Sequence, residues 1–182
     1  YSDELYKRRQ RKGINIKEAE RLMMDPNYFA SMMIDQGDAD GMVNGATTNY
    51  AEAVRPILHT VGLAKDHAPA GLNILVSENK ILFLADTTVN FNPTAEQLAQ
   101  IAIQTAFVAE HFGQKPRIAM LSFSNFSGTD GTPAKMKKAA ELVRKLRPDL
   151  LVEGDLQADT AVNSEIQNRI FPFSELKGEA NI

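Results

Sequence analysis

Apolar residues in the first sixty positions recur three or four residues apart, which is the spacing of amphipathic helices. Capping residues and glycines mark where these helices begin and end. The pattern predicts helices over residues 2–12, 16–24, 26–36 and 49–61, with Ser2 as the N-cap of the first. A short apolar run bounded by glycines, residues 39–46, predicts a buried strand that ends in a loop.

From residue 72 onward, β-forming segments alternate with helical ones. Residues 72–77 and 81–85 predict a β-hairpin, and residues 117–122 and 150–152 predict two further strands. Helices are expected at 94–112, 133–146 and 158–168. Strands that alternate with helices form βαβ units with right-handed crossovers. The fold class is therefore predicted to be α/β, with mainly parallel sheets.

Length and composition narrow the range of functions. The chain has 182 residues, a net charge of −3 and no cysteine, which excludes a disulfide scaffold, a thiolate metal site and a cysteine nucleophile. The mildly acidic balance argues against a nucleic-acid partner. No apolar run approaches the roughly 20 residues of a membrane span, so we expect no membrane partner and a cytoplasmic location.

Three loops that follow predicted strands are rich in hydroxyl and amide side chains: residues 44–50, 86–90 and 122–128. Ligands of α/β sheets bind at the carboxyl ends of the strands, and helix N-termini there favour phosphate or carboxylate groups. The same residue types also serve as ordinary turn and cap residues. Both interpretations of these loops stay open on the sequence alone.

Standard catalytic motifs are absent from the sequence. His59, His67 and His111 have no acid or second histidine at ligand spacing, so we expect them on helix surfaces without a metal. There is no Gly-x-Ser-x-Gly elbow, no Walker lysine loop and no dinucleotide fingerprint. A serine hydrolase triad and a dinucleotide cofactor are therefore not expected in this chain.

Two basic features could contact an anion. Residues 7–12 contain five cations. If they do not contact an anion, they form a solvated helix end. Arg55 lies in an apolar helix segment, where we expect it to be more confined than a surface arginine. Its planar fork suits a phosphate or carboxylate, although a structural ion pair is an equal alternative.

Six short stretches together resemble the phosphate acetyltransferase and phosphate butyryltransferase family over essentially the whole chain. They are residues 9–13, 39–46, 54–56, 85–90, 120–124 and 178–181. The resemblance implies a two-lobed αβα fold of the isocitrate/isopropylmalate dehydrogenase-like type, with coenzyme A and the acyl phosphate in the cleft. It also implies that residues 1–62 belong to the first lobe and residues 63–182 to the second.

The chain departs from the family pattern at two places. Asn49-Tyr50 stand where the family has Ser-Thr, and Phe126 stands where its loop has a lysine that could contact phosphate. The Ser124-Asn125-Phe126 sequence, with residues 85–90 and 154–161, is more similar to hybrid malic enzymes. In those enzymes a phosphotransacetylase-like domain follows an NADP-dependent part that decarboxylates malate.

The resemblance implies an acetyl-CoA-binding regulatory domain of a malic enzyme that oxidatively decarboxylates malate to pyruvate with NADP. Residues expected to bind CoA are Arg9, Arg55, Thr47, Thr48, Asn49 and Tyr50. Residues expected on the acyl or phosphate side are Asp86, Asn90, Ser122, Ser124, Asn125 and Asp159. No catalytic residue is expected, and NADP and a divalent metal would belong only to the malate-decarboxylating part.

Two alternatives remain for the function. One is a phosphate acetyltransferase that interconverts acetyl-CoA and acetyl phosphate, and the other is a domain that only holds a homo-oligomer together. A homo-oligomer is expected in every case. The chain also lacks the family's C-terminal segment with its Arg-Pro, Asp and Ser-Arg groups. We therefore expect a fragment, cut at both ends, that is inactive by itself.

Overall fold

The computed structural model describes residues 1–64 and 67–182, which form two compact units. The first unit comprises the described residues before position 65, and the second comprises those after position 66. The predicted boundary between the two lobes, at residues 62 and 63, lies close to this division. That the two units are the two predicted lobes stays a prediction.

The first unit is built from four helices. They are α1 (Ser2–Arg9), α2 (Ile16–Leu22), α3 (Pro26–Gln36) and α4 (Tyr50–Thr60), and a 3-10 turn (Gln10–Lys12) extends α1. The first three helices share a core of Leu5, Ala19, Tyr28 and Met32, with Ile14 and Leu22 packed against it. Burial of these side chains, each worth roughly 1.5–3 kcal/mol for a large apolar residue, holds the short helices together.

Local hydrogen bonds explain where these helices begin and end. The side chains of Asn15, Asp25 and Asn49 accept the N–H groups of the first turns of α2, α3 and α4. Gly13 and Gly37 adopt left-handed φ angles of 92° and 80° as helix stops. The prediction of an N-cap at Ser2 is wrong, because helix α1 already includes that residue.

The predicted buried strand at residues 39–46 is also wrong. This segment has no regular secondary structure, and the Val43 side chain is fully exposed, at 104% of its reference area. A strand needs a neighbour that pairs with its backbone N–H and C=O groups. No strand occurs among residues 1–64, so the apolar run finds no partner there.

The second unit alternates strands and helices. Its strands are β1 (Leu72–Val76), β2 (Ile81–Ala85), β3 (Arg117–Leu121) and β4 (Leu151–Leu156). Its helices are α5 (Ala95–His111), α6 (Gly131–Leu146), α7 (Ala158–Ala161) and α8 (Ser164–Ile170). β1 and β2 form the predicted antiparallel hairpin, whereas β3 and β4 are parallel. The α/β fold class is confirmed.

The last residues of the chain lie between the two strand pairs. The Phe83 N–H of β2 donates to the Asn181 carbonyl at 2.8 Å, and the Ala119 N–H of β3 donates to the Ile182 carbonyl at 2.8 Å. An extended C-terminal segment thus connects β2 to β3 by hydrogen bonds. A cavity of about 420 Å³ opens beside it, with β2, β3 and α5 among its walls.

Helices α5 and α6 cover the parallel pair and form the largest core of this unit. Its buried residues include Ala102 and Ala106 of α5, Val143 of α6, Ile118 of β3 and Val152 of β4. The small side chains of α5 allow α6 to approach closely.

The predicted helix over 158–168 is two short helices. Asn163 interrupts it with extended backbone angles, and its side chain caps α8 by accepting the N–H groups of Glu165 and Ile166. Within the two described ranges, no helix has the length and apolar character needed to cross a membrane.

Candidate functional site

Two helices of the first unit bring a tyrosine and a histidine together. The hydroxyl of Tyr28, on α3, lies 2.7 Å from Nδ1 of His59, on α4. Tyr28 is 5% exposed and belongs to the core, whereas His59 is half-buried. His59 thus lies on a helix, as predicted, but its ring is also held to the core by Tyr28.

Three cations act on this pair. Burial lowers the pKa of His59 below its ordinary value, and the charges of Arg9, Arg55 and Lys12 lower it further. Burial raises the pKa of Tyr28, while Arg55 and Arg9 oppose that rise. Each arginine thus acts on both rings. Arg9 ends α1, Lys12 ends the 3-10 turn and Arg55 lies on α4, so charges from three separate elements act on the same pair.

The positive charges of these three residues are not neutralised within their unit. Among residues 1–64, Lys7 pairs with Glu4 at 2.7 Å and Arg8 pairs with Asp35 at 2.5 Å, but Arg9, Lys12 and Arg55 make no ion pair. The Nε atom of Arg9 is buried without a hydrogen-bond partner. Guanidinium groups bind phosphate and carboxylate through two parallel hydrogen bonds. This cation cluster of Arg9, Lys12 and Arg55 is suited to an anion.

The other residues expected to bind CoA lie just before α4 or at its first residue. Asn49 is the N-cap of that helix, and its Oδ1 accepts the Glu52 N–H at 3.0 Å. Thr47 and Tyr50 are exposed and Thr48 is half-buried. Arg55 is itself exposed, so the expectation that it is confined is wrong. Exposure leaves its guanidinium accessible to a ligand.

The loop after β2 is an anion site that a side chain of the protein already fills. Oδ1 of Asp86 accepts the N–H groups of Gly71, Thr88 and Val89 at 2.8, 3.1 and 3.0 Å. Asn90 donates to Oδ2 from its backbone at 2.6 Å and from its side chain at 2.5 Å. Burial alone would raise the pKa of Asp86, but these hydrogen bonds outweigh it and lower the pKa to about 2.

A second carboxylate occupies the loop after β3. Asp155 of β4 is fully buried, and its Oδ2 accepts hydrogen bonds from the hydroxyls of Ser124 and, at 3.4 Å, Ser122. Its Oδ1 is buried without a partner. The loop is further held by Asn125, which donates to the Gln157 side chain at 2.7 Å. The serine hydroxyls of this loop therefore already donate to a carboxyl group of the protein itself.

The remaining residues of this region lie close to that loop. Phe126 adopts a φ of 57°, and its ring lies 5.2 and 4.9 Å from the rings of Phe171 and Phe173. An aromatic contact thus anchors the position where the family has a lysine. Asp159, at the start of α7, is exposed, and its Oδ1 accepts the N–H of Thr160 at 2.8 Å.

Sequence reasoning missed four residues of these sites: Tyr28, His59, Lys12 and Asp155. Lys12 lies in the basic run that the sequence analysis noted, so it could have been included. The other three depend on contacts between residues 31 to 33 positions apart, which no local pattern reveals. Within the described ranges, no three His, Asp or Glu side chains are grouped as metal ligands.

The chain is similar over its whole length to proteins of known sequence. The family model described as "Phosphate acetyl/butaryl transferase" matches residues 1–182. The chain is 36% identical over 184 residues to an NADP-dependent malic enzyme of Rhizobium meliloti, covering 100% of the chain and 24% of that protein. It is 37% identical over 191 residues to a phosphate acetyltransferase of Clostridium acetobutylicum, covering 100% of the chain and 57% of that protein.

A solved structure agrees with these matches. A phosphotransacetylase from Streptococcus pyogenes superposes with a TM-score of 0.89 at 33% identity, covering 99% of the chain and 56% of that structure. The chain thus spans between about a quarter and rather more than half of the relatives it matches. The same region is therefore similar both to NADP-dependent malic enzymes and to phosphate acetyltransferases.

Proposed function

The chain belongs to the phosphate acetyl/butaryl transferase family, and from this premise we propose that it binds acetyl-CoA as the regulatory domain of a malic enzyme. The cation cluster of Arg9, Lys12 and Arg55 is the observation that carries the proposal. It offers positive charge that makes no ion pair with any side chain among residues 1–64, and coenzyme A carries several phosphate groups. NADP and a metal would act in the malate-decarboxylating part, so we assign them no residue here.

Two features of the second unit favour regulation over phosphate chemistry. Asp86 and Asp155 already accept hydrogen bonds from donors of the loops after β2 and β3, and the negative charge of Asp86, whose pKa is lowered to about 2, repels a phosphate dianion. Phe126 supplies no cation there. Regulation requires that acetyl-CoA binds two states of the whole enzyme with different affinities, because otherwise no equilibrium shifts.

The first test is calorimetric titration of the chain with acetyl-CoA. Arg55→Ala removes a charge-assisted contact worth about 1.5–3 kcal/mol, so affinity should fall about 10- to 100-fold. Arg169→Ala is the matched control, because Arg169 is an exposed arginine on α8. Equal affinities for the native chain and Arg55→Ala would refute the role given to Arg55.

The regulatory step is tested on a polypeptide that also contains the malate-decarboxylating part. Acetyl-CoA should change its rate of NADP-dependent malate decarboxylation, and Arg55→Ala should shift that response to higher acetyl-CoA concentration. A rate that acetyl-CoA leaves unchanged would contradict the regulatory role. The cytoplasmic location and the homo-oligomer belong to the same proposal.

The similarity to the Clostridium acetobutylicum phosphate acetyltransferase supports a second candidate, acetyl transfer between CoA and phosphate. Such an enzyme would position the thiol against the acyl phosphate and stabilise the developing charge. Formation of acetyl-CoA from acetyl phosphate by the longest available polypeptide would favour it. An oligomerisation domain alone would show no increase in melting temperature with acetyl-CoA, whereas a specific ligand must raise it.

A further inference from the structure

The imidazole of His59 is fixed at one nitrogen and open at the other. Nδ1 is held by the hydroxyl of Tyr28 at 2.7 Å, and Tyr28 is itself fixed in the core of the first unit. Among residues 1–64, Nε2 makes no hydrogen bond. His59 is only half-buried, so a ligand can reach the ring.

The hydroxyl of Tyr28 can either donate or accept, so it is compatible with a hydrogen on Nε2 in both charge states of His59. When the ring is neutral and the hydroxyl donates to Nδ1, the proton of the imidazole is on Nε2. When the ring is protonated, both nitrogens carry hydrogen and the hydroxyl accepts from Nδ1. An anion near Nε2 therefore receives a hydrogen bond in either state, and a charge-assisted one in the second.

Every charge that acts on His59 is positive. Arg9 of α1, Lys12 of the 3-10 turn and Arg55 of α4 all oppose its protonation, and Tyr28 of α3 faces it as a neutral hydroxyl. Asp25 and Glu18 act on Tyr28 but not on His59. A phosphate bound by the cation cluster would supply the missing negative charge and reverse this balance.

We infer that His59 is a further ligand-binding residue, which donates from Nε2 to a phosphate held by Arg9 and Arg55 and takes up a proton when that phosphate binds. This inference rests on the proposed function and adds that acetyl-CoA binding is accompanied by proton uptake. Because the bound state holds more protons, acetyl-CoA should bind more tightly as the pH falls through the titration range of His59.

The test is calorimetry of acetyl-CoA binding between about pH 5.5 and 8, in two buffers that differ in ionisation enthalpy. An opposite charge within about 4–6 Å shifts a pKa by 1–3 units, so affinity should rise about tenfold or more toward low pH. His59→Gln keeps a hydrogen-bond donor and should remove this gain. The phosphates of the ligand also titrate, but they do so equally with both proteins, so the difference between the proteins is the readout.

His111→Gln is the matched control, because His111 is exposed on α5 of the other unit. A measurement without any variant uses the NMR signals of the histidine rings. Saturating acetyl-CoA should raise the titration midpoint of His59 by about one unit or more and leave that of His111 unchanged.

The outcomes separate this inference from the proposal beneath it. The inference would be overturned, with acetyl-CoA binding intact, if the native chain and His59→Gln took up the same number of protons on binding. An NMR titration midpoint of His59 that acetyl-CoA leaves unchanged would also overturn it. No binding by the native chain at any pH would overturn both.

Discussion

The Asp86→Asn substitution should destabilise the second unit by about 2 kcal/mol at neutral pH. Asp86 accepts five hydrogen bonds at 2.5 to 3.1 Å, from Gly71, Thr88, Val89 and twice from Asn90. Asparagine keeps the shape but replaces one acceptor oxygen with a donor that faces other donors. The loop after β2 then loses the charge around which its N–H groups are arranged.

The magnitude follows from the pKa. The hydrogen bonds lower the pKa of Asp86 from 3.8 to about 2. One pKa unit corresponds to about 1.4 kcal/mol, which gives about 2 kcal/mol once the partial exposure of the carboxylate is allowed for. A lowered folded-state pKa means that this stability is complete at a pH well above 3.8 and is lost as the pH falls toward 2.

The assay must report on the second unit alone. All four tyrosines lie in the first unit and the chain has no tryptophan, so intrinsic fluorescence does not monitor the loop. Hydrogen exchange of residues 81–90, followed by mass spectrometry along a urea series, measures the local free energy of opening. Tyrosine fluorescence in the same samples should show the first unit unchanged.

Asp130→Asn is the control, because the Asp130 side chain is exposed and makes no capping hydrogen bond. It should change stability by less than about 0.5 kcal/mol. The difference between the native chain and Asp86→Asn should also shrink between pH 7 and about pH 2.5, as Asp86 begins to protonate. An equal difference at both pH values would refute the electrostatic explanation.

Two further substitutions test the loop after β3. Ser124→Ala removes a hydroxyl that donates to buried Asp155 and should cost about 1.5–3 kcal/mol by urea unfolding, whereas Ser127→Ala, at an exposed serine, should cost less than about 0.5 kcal/mol. Gly128→Ala would place a Cβ 1.8 Å from Cβ of Pro133, so it should cost about 1–3 kcal/mol or displace the loop.

Far-UV circular dichroism follows both unfolding series. Gly41→Ala is the control for the glycine, because an added Cβ there meets nothing within 4 Å. Equal stabilities for the two glycine variants would contradict the close contact. Equal stabilities for the two serine variants would contradict the hydrogen bond to Asp155.

Features that rest on nearby residues could be predicted from the sequence. The helix predicted at residues 26–36 is confirmed at both ends, where Asp25 caps it and Gly37 stops it, and the helix predicted from residue 94 begins at a capping box of Thr94 and Gln97. Each involves residues within a few positions, so the residue types carry the signal themselves. The β1–β2 hairpin is confirmed for the same reason.

Features that rest on distant partners could not be predicted. Residues 39–46 carry a strand-like pattern, but pairing decides whether a strand forms, and the first unit offers no partner among residues 1–64. The hydroxyl-rich loops after β2 and β3 do donate to carboxyl groups, but these are the side chains of Asp86 and Asp155. Asp155 comes from a different strand, so the loop sequence gives no sign of it.

The most direct test of acetyl-CoA binding compares two ligands. Acetyl-CoA and S-acetylpantetheine share the thioester, but only acetyl-CoA carries the phosphates and the adenosine, so the part of the affinity difference that depends on the two arginines measures the phosphate contacts. Acetyl-CoA should bind the native chain at least about 100-fold more tightly, since two charge-assisted contacts contribute about 3 kcal/mol or more. Arg9→Ala with Arg55→Ala should abolish most of that difference and leave S-acetylpantetheine binding unchanged. Equal weakening of both ligands, or equal affinities with the native chain, would contradict phosphate binding by the cation cluster.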